Sequence, residues 1–166
     1  PYVGVLYGGF MLTKSGVKVI EYNARFGDPE AMNVLSILKS DFLSVCMSIV
    51  DGSLEKQEVC FEGLATVCKY VVPVGYPNKP SRGFEVVCNQ NDSSLFLASV
   101  ALKDKKLIAC GSRTAAVVGK SSDIKQAESF AEDKISKISG NLFHRKDIGT
   151  KKLIDSRTKR MKELLG

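Results

Sequence analysis

The stretch Glu21-Tyr22-Asn23-Ala24-Arg25-Phe26-Gly27-Asp28-Pro29-Glu30 sets a carboxylate, an amide and an arginine directly before a helix-opening Asp-Pro-Glu. The residues that precede it, Val17 to Ile20, are apolar apart from one lysine. Polar groups among apolar neighbours need partners, because burying them without hydrogen bonds costs free energy. The stretch therefore predicts a ligand site, and a metal ion and phosphate are the partners that fit it best.

Glu21 and Asn23, here called the polar pair, close a predicted strand that begins at Val17. Side chains two residues apart on a strand share a face, so we expect the polar pair to project together, in line with Val17 and Val19, which we expect to be buried. A carboxylate and an amide carbonyl are hard oxygen donors that suit Mg²⁺ or Mn²⁺. The alternative is an ion pair between Glu21 and a basic residue of the sheet, with Asn23 only turning the chain.

Two charged residues follow the strand. Arg25 is able to hold a phosphate or carboxylate with two parallel hydrogen bonds, and its alternative is a salt bridge to Asp28 or Glu30. Asp28 precedes Pro29, which predicts a helix that Asp28 caps and Pro29 begins. Residue type alone leaves open whether Asp28 is only a helix cap or also a substrate ligand.

The order of predicted elements indicates an α+β chain in two parts. A hairpin with its turn at Thr13–Gly16 opens the first part, and helices follow after Asp28 and after Asp41, the second with Phe42, Cys46, Ile49 and Val50 facing inward. Two strands and two helices cannot bury their own apolar surface, so we expect the first part to be the end of a larger sheet domain. The polar residues 53–62 mark a boundary.

Short strands and two helices are predicted beyond this boundary. The predicted strands are Ala65–Val72, Phe84–Cys88, Leu95–Leu102, Lys106–Cys110 and Arg113–Val118, with a hairpin turn at Lys103-Asp104-Lys105. Ser121 to Asp123 cap an amphipathic helix that ends at Gly140 and whose predicted inward residues are Ile124, Ala127, Ala131, Ile135 and Ile138. A short strand and a basic helix from Lys151 to Leu165 complete the chain.

Composition narrows the class of protein. The 166 residues suffice for one domain or two small ones, and 44% of them are hydrophobic, as in a protein with a core. We find no apolar run long enough to span a membrane and no leader, and we interpret the five cysteines as free thiols. Together these features predict a cytoplasmic protein without membrane contact. The net charge is +6, and residues 120–166 carry 12 Lys and Arg against 7 Asp and Glu. Without interleaved aromatic residues this excess favours a solvated helix face over nucleic-acid binding.

Several segments together resemble the glycinamide ribonucleotide synthetase family of the ATP-grasp superfamily. Arg25–Glu30 is similar to the signature of that family. The other similar segments, in family order, are Gly4–Thr13, Gly16–Asn23, Leu38–Phe42, Lys69–Tyr76, Gly111–Arg113 and Phe143–Gly149. The resemblance covers nearly the whole chain but only the C-terminal part of the family's enzyme.

The resemblance implies both a fold and a reaction. Residues 1–60 would form the second half of an ATP-grasp domain, with antiparallel strands plus helices, and residues 61–166 a small C-terminal α/β barrel-like domain with a terminal basic helix. ATP would phosphorylate the carboxylate of glycine, and the amine of 5-phosphoribosylamine would then displace phosphate from glycyl phosphate. The product is glycinamide ribonucleotide, an intermediate of de novo purine biosynthesis.

The resemblance also implies roles for single residues. Glu21 and Asn23 match the family's metal-ligand positions and would hold the Mg²⁺ or Mn²⁺ that carries ATP, with Arg25 on anionic oxygen. Arg25 and Asp28 would be the catalytic residues, and Asp28 would hold the glycine ammonium. Arg113 and Arg145 are candidates for the ribose phosphate of the substrate or for a domain interface, and purely structural roles are the alternative.

The partner implied by the resemblance is the missing N-terminal part of the same enzyme, in cis or as a separate chain. We expect this chain to be inactive by itself. Two alternatives stay open at this point: part of another ATP-grasp carboxylate–amine ligase, or a non-enzymatic binding module with an RNA or acidic partner.

Overall fold

The computed structural model describes residues 1–165. The chain divides into two compact units, one formed by residues 1–63 with the chain from Asp155 onward, the other by Leu64–Ile154. The model is a mixture of helices and antiparallel strands, which confirms the mixed fold class. The assignment of residues 1–60 and 61–166 to two parts of a ligase stays a prediction. Within the described chain, no helix has both the length and the apolar character needed to cross a membrane.

The first unit opens with an antiparallel hairpin of β1 (Tyr7–Thr13) and β2 (Gly16–Asn23). Thr13 pairs with Gly16 across a two-residue turn, which confirms the predicted hairpin. The φ angle of Gly16 is +94°, a conformation that glycine adopts without steric cost. The first strand begins at Tyr7 and ends at Thr13, directly before the turn.

The second strand carries a β-bulge at Ile20. Phe10 pairs with Val19, whereas the preceding residue, Gly9, pairs with Glu21. A Cβ atom on Gly9 would lie 3.4 Å from Cγ of Glu21 and 3.8 Å from Cβ of Ile20, so both side chains lie over this glycine. A Cβ atom at these distances would make ordinary van der Waals contacts, so the bulge does not require a glycine at this position.

The bulge changes the face on which the valines lie. Val19 is opposite Phe10, and the Phe10 ring meets the Tyr22 ring edge-on with centroids 5.9 Å apart, so these side chains share one face. Residues on either side of Tyr22 point to the other face, where the polar pair lies. The predicted alignment of Val17 and Val19 with the polar pair is wrong. Their predicted burial is also wrong, because they are 65% and 55% exposed.

Two helices and a 3₁₀ turn complete the first contiguous segment: α1 (Glu30–Leu35), α2 (Phe42–Val50) and Leu54–Lys56. The N-cap of α1 is Pro29, and no side chain caps this helix. The predicted Asp28 cap is therefore wrong. The helix begins at Glu30 with Pro29 as its N-cap, so Asp28 lies one residue before the capping position. The Gly27 carbonyl accepts a hydrogen bond from the Ala31 amide at 2.9 Å.

The predicted cap of α2 is confirmed. One carboxylate oxygen of Asp41 accepts a hydrogen bond from the Ser44 amide at 2.7 Å and another from the Ser44 hydroxyl at 2.8 Å. The predicted burial of Phe42 and Val50 is wrong, since both side chains are exposed. Among residues 1–165, no element covers that side of the short helix enough to bury them.

The second unit contains a four-stranded sheet of order β5-β8-β3-β9 and a three-stranded sheet of order β4-β7-β6. The strands are β3 (Ala65–Pro73), β4 (Glu85–Val86), β5 (Leu95–Leu97), β6 (Val100–Lys103), β7 (Lys106–Ala109), β8 (Ala115–Ser121) and β9 (Leu142–His144). All pairings within these two sheets are antiparallel.

The predicted single strand Leu95–Leu102 is in fact two strands that belong to different sheets. Between them, the amides of Ala98 and Ser99 donate to the carbonyls of Thr114 and Arg113. The break lets the chain pass from one sheet to the other, which a continuous apolar pattern does not reveal. The predicted turn at Asp104 and Lys105 is confirmed: their φ angles of +49° and +63° are those of a two-residue hairpin turn.

Helix α3 (Ile124–Ile135) packs on the four-stranded sheet. The Asp123 side chain caps it by accepting a hydrogen bond from the Gln126 amide at 2.9 Å, as predicted. Its buried residues are Ala127, Ala131 and Ile135. The predicted inward position of Ile124 is wrong, because it is exposed, and the helix ends at Ile135 rather than at Gly140. The last helix, α4 (Lys151–Leu165), has the predicted bounds.

Candidate functional site

The polar pair forms a single contact on one face of the hairpin. Asn23 Nδ2 donates a hydrogen bond to Glu21 Oε1 at 2.9 Å. Tyr7 lies directly opposite Asn23 in the register of the hairpin, so its side chain shares this face. The predicted common projection of Glu21 and Asn23 therefore holds, although the bulge separates them from the valines.

The donor set of the polar pair fits a hard divalent cation. Glu21 is exposed and Asn23 is partly exposed, so a cation and its other ligands have access to both side chains. Turning the Asn23 amide about its last torsion would present its oxygen instead of its nitrogen beside the carboxylate. No group of three or more His, Cys, Asp or Glu suited to a metal occurs in the described part of the chain. Two protein oxygens with phosphate and water completing the shell is a coordination pattern of magnesium.

A second carboxylate stands close to this face. The Tyr7 hydroxyl donates a hydrogen bond to Glu30 Oε1 at 3.1 Å. The pKa of Tyr7 is raised above its usual range, first by this hydrogen bond, then by burial, and then by the negative charges of Glu30 and Glu21. Tyr7 is thus close enough to both carboxylates to feel their charge.

Arg25 and Asp28 lie in the loop after β2, and both are exposed. The guanidinium of Arg25 donates from Nη1 to the neighbouring Phe26 carbonyl at 2.7 Å. This bond fixes the side chain close to its own backbone and leaves further N–H groups of the guanidinium for an anion. The structure therefore brings Arg25 near the end of the strand that carries the polar pair.

Arg113 and Arg145 lie in the second unit. The Arg113 guanidinium stacks over the Tyr70 ring at 5.5 Å from its centroid, a cation–π contact. Arg145 makes two parallel hydrogen bonds to Asp147, from Nε at 3.1 Å and from Nη2 at 2.6 Å. Both arginines have well-defined structural partners, and their substrate roles stay predictions.

The second unit contains a buried charge network that was not predicted from the sequence. Lys69 on β3 has a fully buried side chain whose Nζ lies 2.7 Å from Glu128 and 2.6 Å from Glu132. It also donates to the Lys146 carbonyl at 3.1 Å, and His144 Nε2 contacts Glu132 at 3.1 Å. This network fixes the segment after β9 to β3 and α3. A charged residue inside an otherwise apolar strand was the signal that could have revealed it.

Two segments of the chain match family models of known proteins. Residues 1–31 match the family model described as Phosphoribosylglycinamide synthetase, ATP-grasp (A) domain, which places the first segment in the ATP-grasp class. Residues 66–151, more than half of the chain, match the model described as Phosphoribosylglycinamide synthetase, C domain. The chain belongs to the phosphoribosylglycinamide synthetase family.

Individual relatives agree with this assignment. The chain is 56% identical over 170 residues to a phosphoribosylamine–glycine ligase of Methanococcus vannielii and 52% identical over 168 residues to one of Methanocaldococcus jannaschii. These alignments cover 99% and 98% of the chain but only 38% of each relative. A crystal structure of the Thermotoga maritima phosphoribosylamine–glycine ligase matches with a TM-score of 0.72 at 28% identity, over 86% of this chain and 36% of that one.

Proposed function

We propose that this chain supplies the metal ligands and part of the substrate site of a phosphoribosylamine–glycine ligase. The reaction joins glycine to 5-phosphoribosylamine at the expense of ATP, through glycyl phosphate, and yields glycinamide ribonucleotide, ADP and phosphate. The observation that carries the proposal is the contact between Glu21 and Asn23 on one face of β2, in a chain of this family. The cytoplasm is the predicted location of this activity.

The finer description of the fold belongs to this proposal. Residues 1–60 act as the second half of an ATP-grasp domain, and residues 61–166 as a small C-terminal α/β barrel-like domain. The chain spans 38% of the length of its Methanococcus vannielii relative. The remaining part of such an enzyme is therefore the partner with which this chain forms a complete site, and we expect no ligase activity from this chain alone.

Each residue of the site has a physical task. Glu21 and Asn23 hold Mg²⁺ or Mn²⁺, which when bound neutralises the charge of the ATP phosphates and orients them. Arg25 donates N–H groups to anionic oxygen at the reacting end of ATP. Asp28 accepts a hydrogen bond from the glycine ammonium, and Arg113 and Arg145 serve the phosphate of 5-phosphoribosylamine. Because phosphoryl transfer depends mainly on position and charge, these tasks need no covalent role for the chain.

The proposal is tested with Glu21→Gln in a complete enzyme, formed by joining this chain to the preceding part of the Methanococcus vannielii ligase. Loss of one metal ligand removes several kcal/mol of charge stabilisation, so turnover should fall by about 100-fold or more. Glu55→Gln, which changes an exposed glutamate of the same unit, is the matched control and should keep full turnover. Wild-type turnover of Glu21→Gln at saturating Mg²⁺ would show that Glu21 is not a metal ligand.

The same joined enzyme distinguishes this proposal from its alternatives. Formation of ADP should require glycine and 5-phosphoribosylamine together. Turnover with a different carboxylate and amine, and none with this pair, would favour another ATP-grasp ligase. Salt-dependent binding of RNA without binding of Mg²⁺-nucleotide would favour a non-enzymatic module, because contacts to phosphates weaken as salt rises.

A further inference from the structure

A small cavity lies beside the hairpin, within the first unit. It has a volume of about 190 Å³. The residues that line it are Val5, Leu6, Tyr7, Phe26, Gly27, Glu30, Ala31 and Val34. One water molecule needs about 10–15 Å³ of such space, so a molecule of several heavy atoms fits. Among these residues the only charged group is the Glu30 carboxylate.

Gly27 is a buried residue in the wall of this cavity. Among residues 1–63, all of them described by the structure, Gly27 is the only one in the buried class. A Cβ atom at this position would lie 2.5 Å from Glu30 Oε2 and 3.0 Å from Cδ2 of the Tyr7 ring. The absence of a side chain at Gly27 therefore lets Glu30 and Tyr7 lie directly over the backbone.

Tyr7 connects this cavity with the polar pair. Its backbone pairs with Asn23 across the hairpin, and its hydroxyl donates to Oε1 of Glu30. A carboxylate has about four acceptor positions, so the bond from Tyr7 leaves most of the acceptor capacity of Glu30 for a ligand. A cation bound at Glu30 would therefore lie near the place where the polar pair holds the nucleotide metal.

Of the two carboxylates beside Pro29, only Glu30 faces the cavity. Asp28 is exposed and is not one of the lining residues, whereas Glu30 is partly buried and held by Tyr7. A carboxylate in a mostly apolar cavity favours a ligand that carries a positive charge and hydrogen-bond donors, because the charge is poorly solvated without one. An ammonium group satisfies both requirements.

We propose that Glu30, oriented by the Tyr7 hydroxyl, binds the ammonium group of the small amino acid substrate in this cavity. The inference rests on the proposed ligase function and adds Glu30 to Asp28 as a second carboxylate for this ammonium group. With its ammonium at Glu30, the amino acid would lie beside the hairpin that carries the polar pair. Tyr7 is a positioning residue, since it acts through Glu30.

The test measures glycine binding and the KM for glycine separately from the KM for ATP in the joined enzyme. Glu30→Gln keeps the shape and an acceptor for Tyr7 but removes the charge, so the KM for glycine should rise about 100-fold. The KM for ATP should change less than about threefold. Equilibrium dialysis with labelled glycine should show the same loss of affinity without turnover. Glu55→Gln is again the control and should keep the glycine affinity of the wild type.

Two milder variants keep the test valid if Glu30→Gln does not fold. Tyr7→Phe removes one neutral hydrogen bond and should raise the KM for glycine about fivefold. Gly27→Ala displaces the flexible end of Glu30 and should have an effect between those of the other two variants. Circular dichroism and the melting temperature verify that each variant folds, and if Glu30→Gln does not fold, the result for Tyr7→Phe decides.

The outcomes separate this inference from the proposed function. If Glu21→Gln abolishes turnover but Glu30→Gln and Tyr7→Phe bind glycine like the wild type, the inference is wrong and the ligase proposal stands. A large loss of glycine affinity in Asp28→Asn, with none in Glu30→Gln, also overturns it. Equal changes in the KM values for ATP and glycine would show that Glu30 has a structural role only. Full turnover of Glu21→Gln would instead refute the proposed metal site.

Discussion

Replacement of Lys69 by methionine would test how the second unit holds its charge network. Lys69 Nζ lies 2.7 Å from Glu128, 2.6 Å from Glu132 and 3.1 Å from the Lys146 carbonyl, and its side chain has no exposed surface. Methionine is of similar length but has no donor. The variant therefore leaves two neighbouring carboxylates and one carbonyl without their shared partner.

The expected cost follows from burial. Removing one member of a buried ion pair costs about 3–5 kcal/mol. The side chains of Glu128 and Glu132 are 18% and 29% exposed, so water compensates them in part. The lower end of the range applies, and the unpaired Lys146 carbonyl adds about 1 kcal/mol. We therefore expect the free energy of unfolding of the second unit to fall by about 3–4 kcal/mol at pH 7.

The deficit should depend on pH. Burial raises the pKa of Glu132, but the hydrogen bonds from Lys69 and His144 outweigh burial and hold that pKa below its usual range. The network therefore contributes stability above the unfolded pKa of about 4.3, and this stability is lost as the pH falls through the lower folded value. Without Lys69 the pKa of Glu132 rises. Protonation of Glu132 at low pH then removes the repulsion between the carboxylates of Glu128 and Glu132. The deficit should therefore be smaller at about pH 4 than at pH 7.

Hydrogen exchange of the amides in β3 and β8, measured by mass spectrometry at both pH values, gives the opening free energy of this unit directly. Lys106→Met is the matched control, because Lys106 pairs with Glu85 at 2.7 Å on the exposed surface. That variant should lose at most about 1 kcal/mol. If Lys69→Met loses no more than this control, or if its deficit is the same at both pH values, the assignment of a buried charge network is refuted.

Two further predictions concern the packing of α3 and an ion pair on its surface. Gly119→Ala would set a Cβ atom against the Ala127 carbonyl of α3 and should cost about 1–3 kcal/mol in urea unfolding, whereas Gly63→Ala, with open space at that position, should cost less than about 1 kcal/mol. The Lys134 ammonium, followed by hydrogen bonds from Ser94, lowers the pKa of Asp92 to about 2. The ionised Asp92 carboxylate therefore stabilises the fold above about pH 4, and this stabilisation is lost toward pH 2. Asp92→Asn should flatten the pH dependence of the free energy of unfolding in this window. Because the Lys134 side chain is 32% exposed, the loss at pH 7 should be only about 1 kcal/mol, and an unchanged pH profile would contradict the pairing.

Local chemistry was sufficient to predict several elements. Asp41 and Asp123 were found as helix caps because a short acceptor before an apolar periodic segment satisfies amides at the helix start. The hairpins at Thr13–Gly16 and at Asp104-Lys105 were found because turn residues stand between complementary strands. These features depend on neighbours within a few residues of the chain. Sequence therefore carries them directly.

The failures arose where distant residues decide the structure. The apolar segment Leu95–Leu102 gave no sign of its break, because the break is set by hydrogen bonds to carbonyls after Ser112. The burial expected for Val17 and Val19 required a covering layer that residues 1–165 do not provide.

The bulge at Ile20 explains why Tyr7 and Glu30 were missed. Counting pairs back from the turn without a bulge sets Leu6 opposite Asn23, and only the extra residue brings Tyr7 there. The sequence did not mark Glu30 as a ligand-binding residue. A glutamate in the first turn of a helix is common because its negative charge interacts favourably with the helix dipole. The burial of Gly27 favours a ligand-binding role for Glu30 over a role limited to stabilising the helix start. A glutamate that only stabilised the helix start would not need a glycine packed against its carboxylate. The glycine in this motif is therefore best understood as the space in which Glu30 and Tyr7 meet.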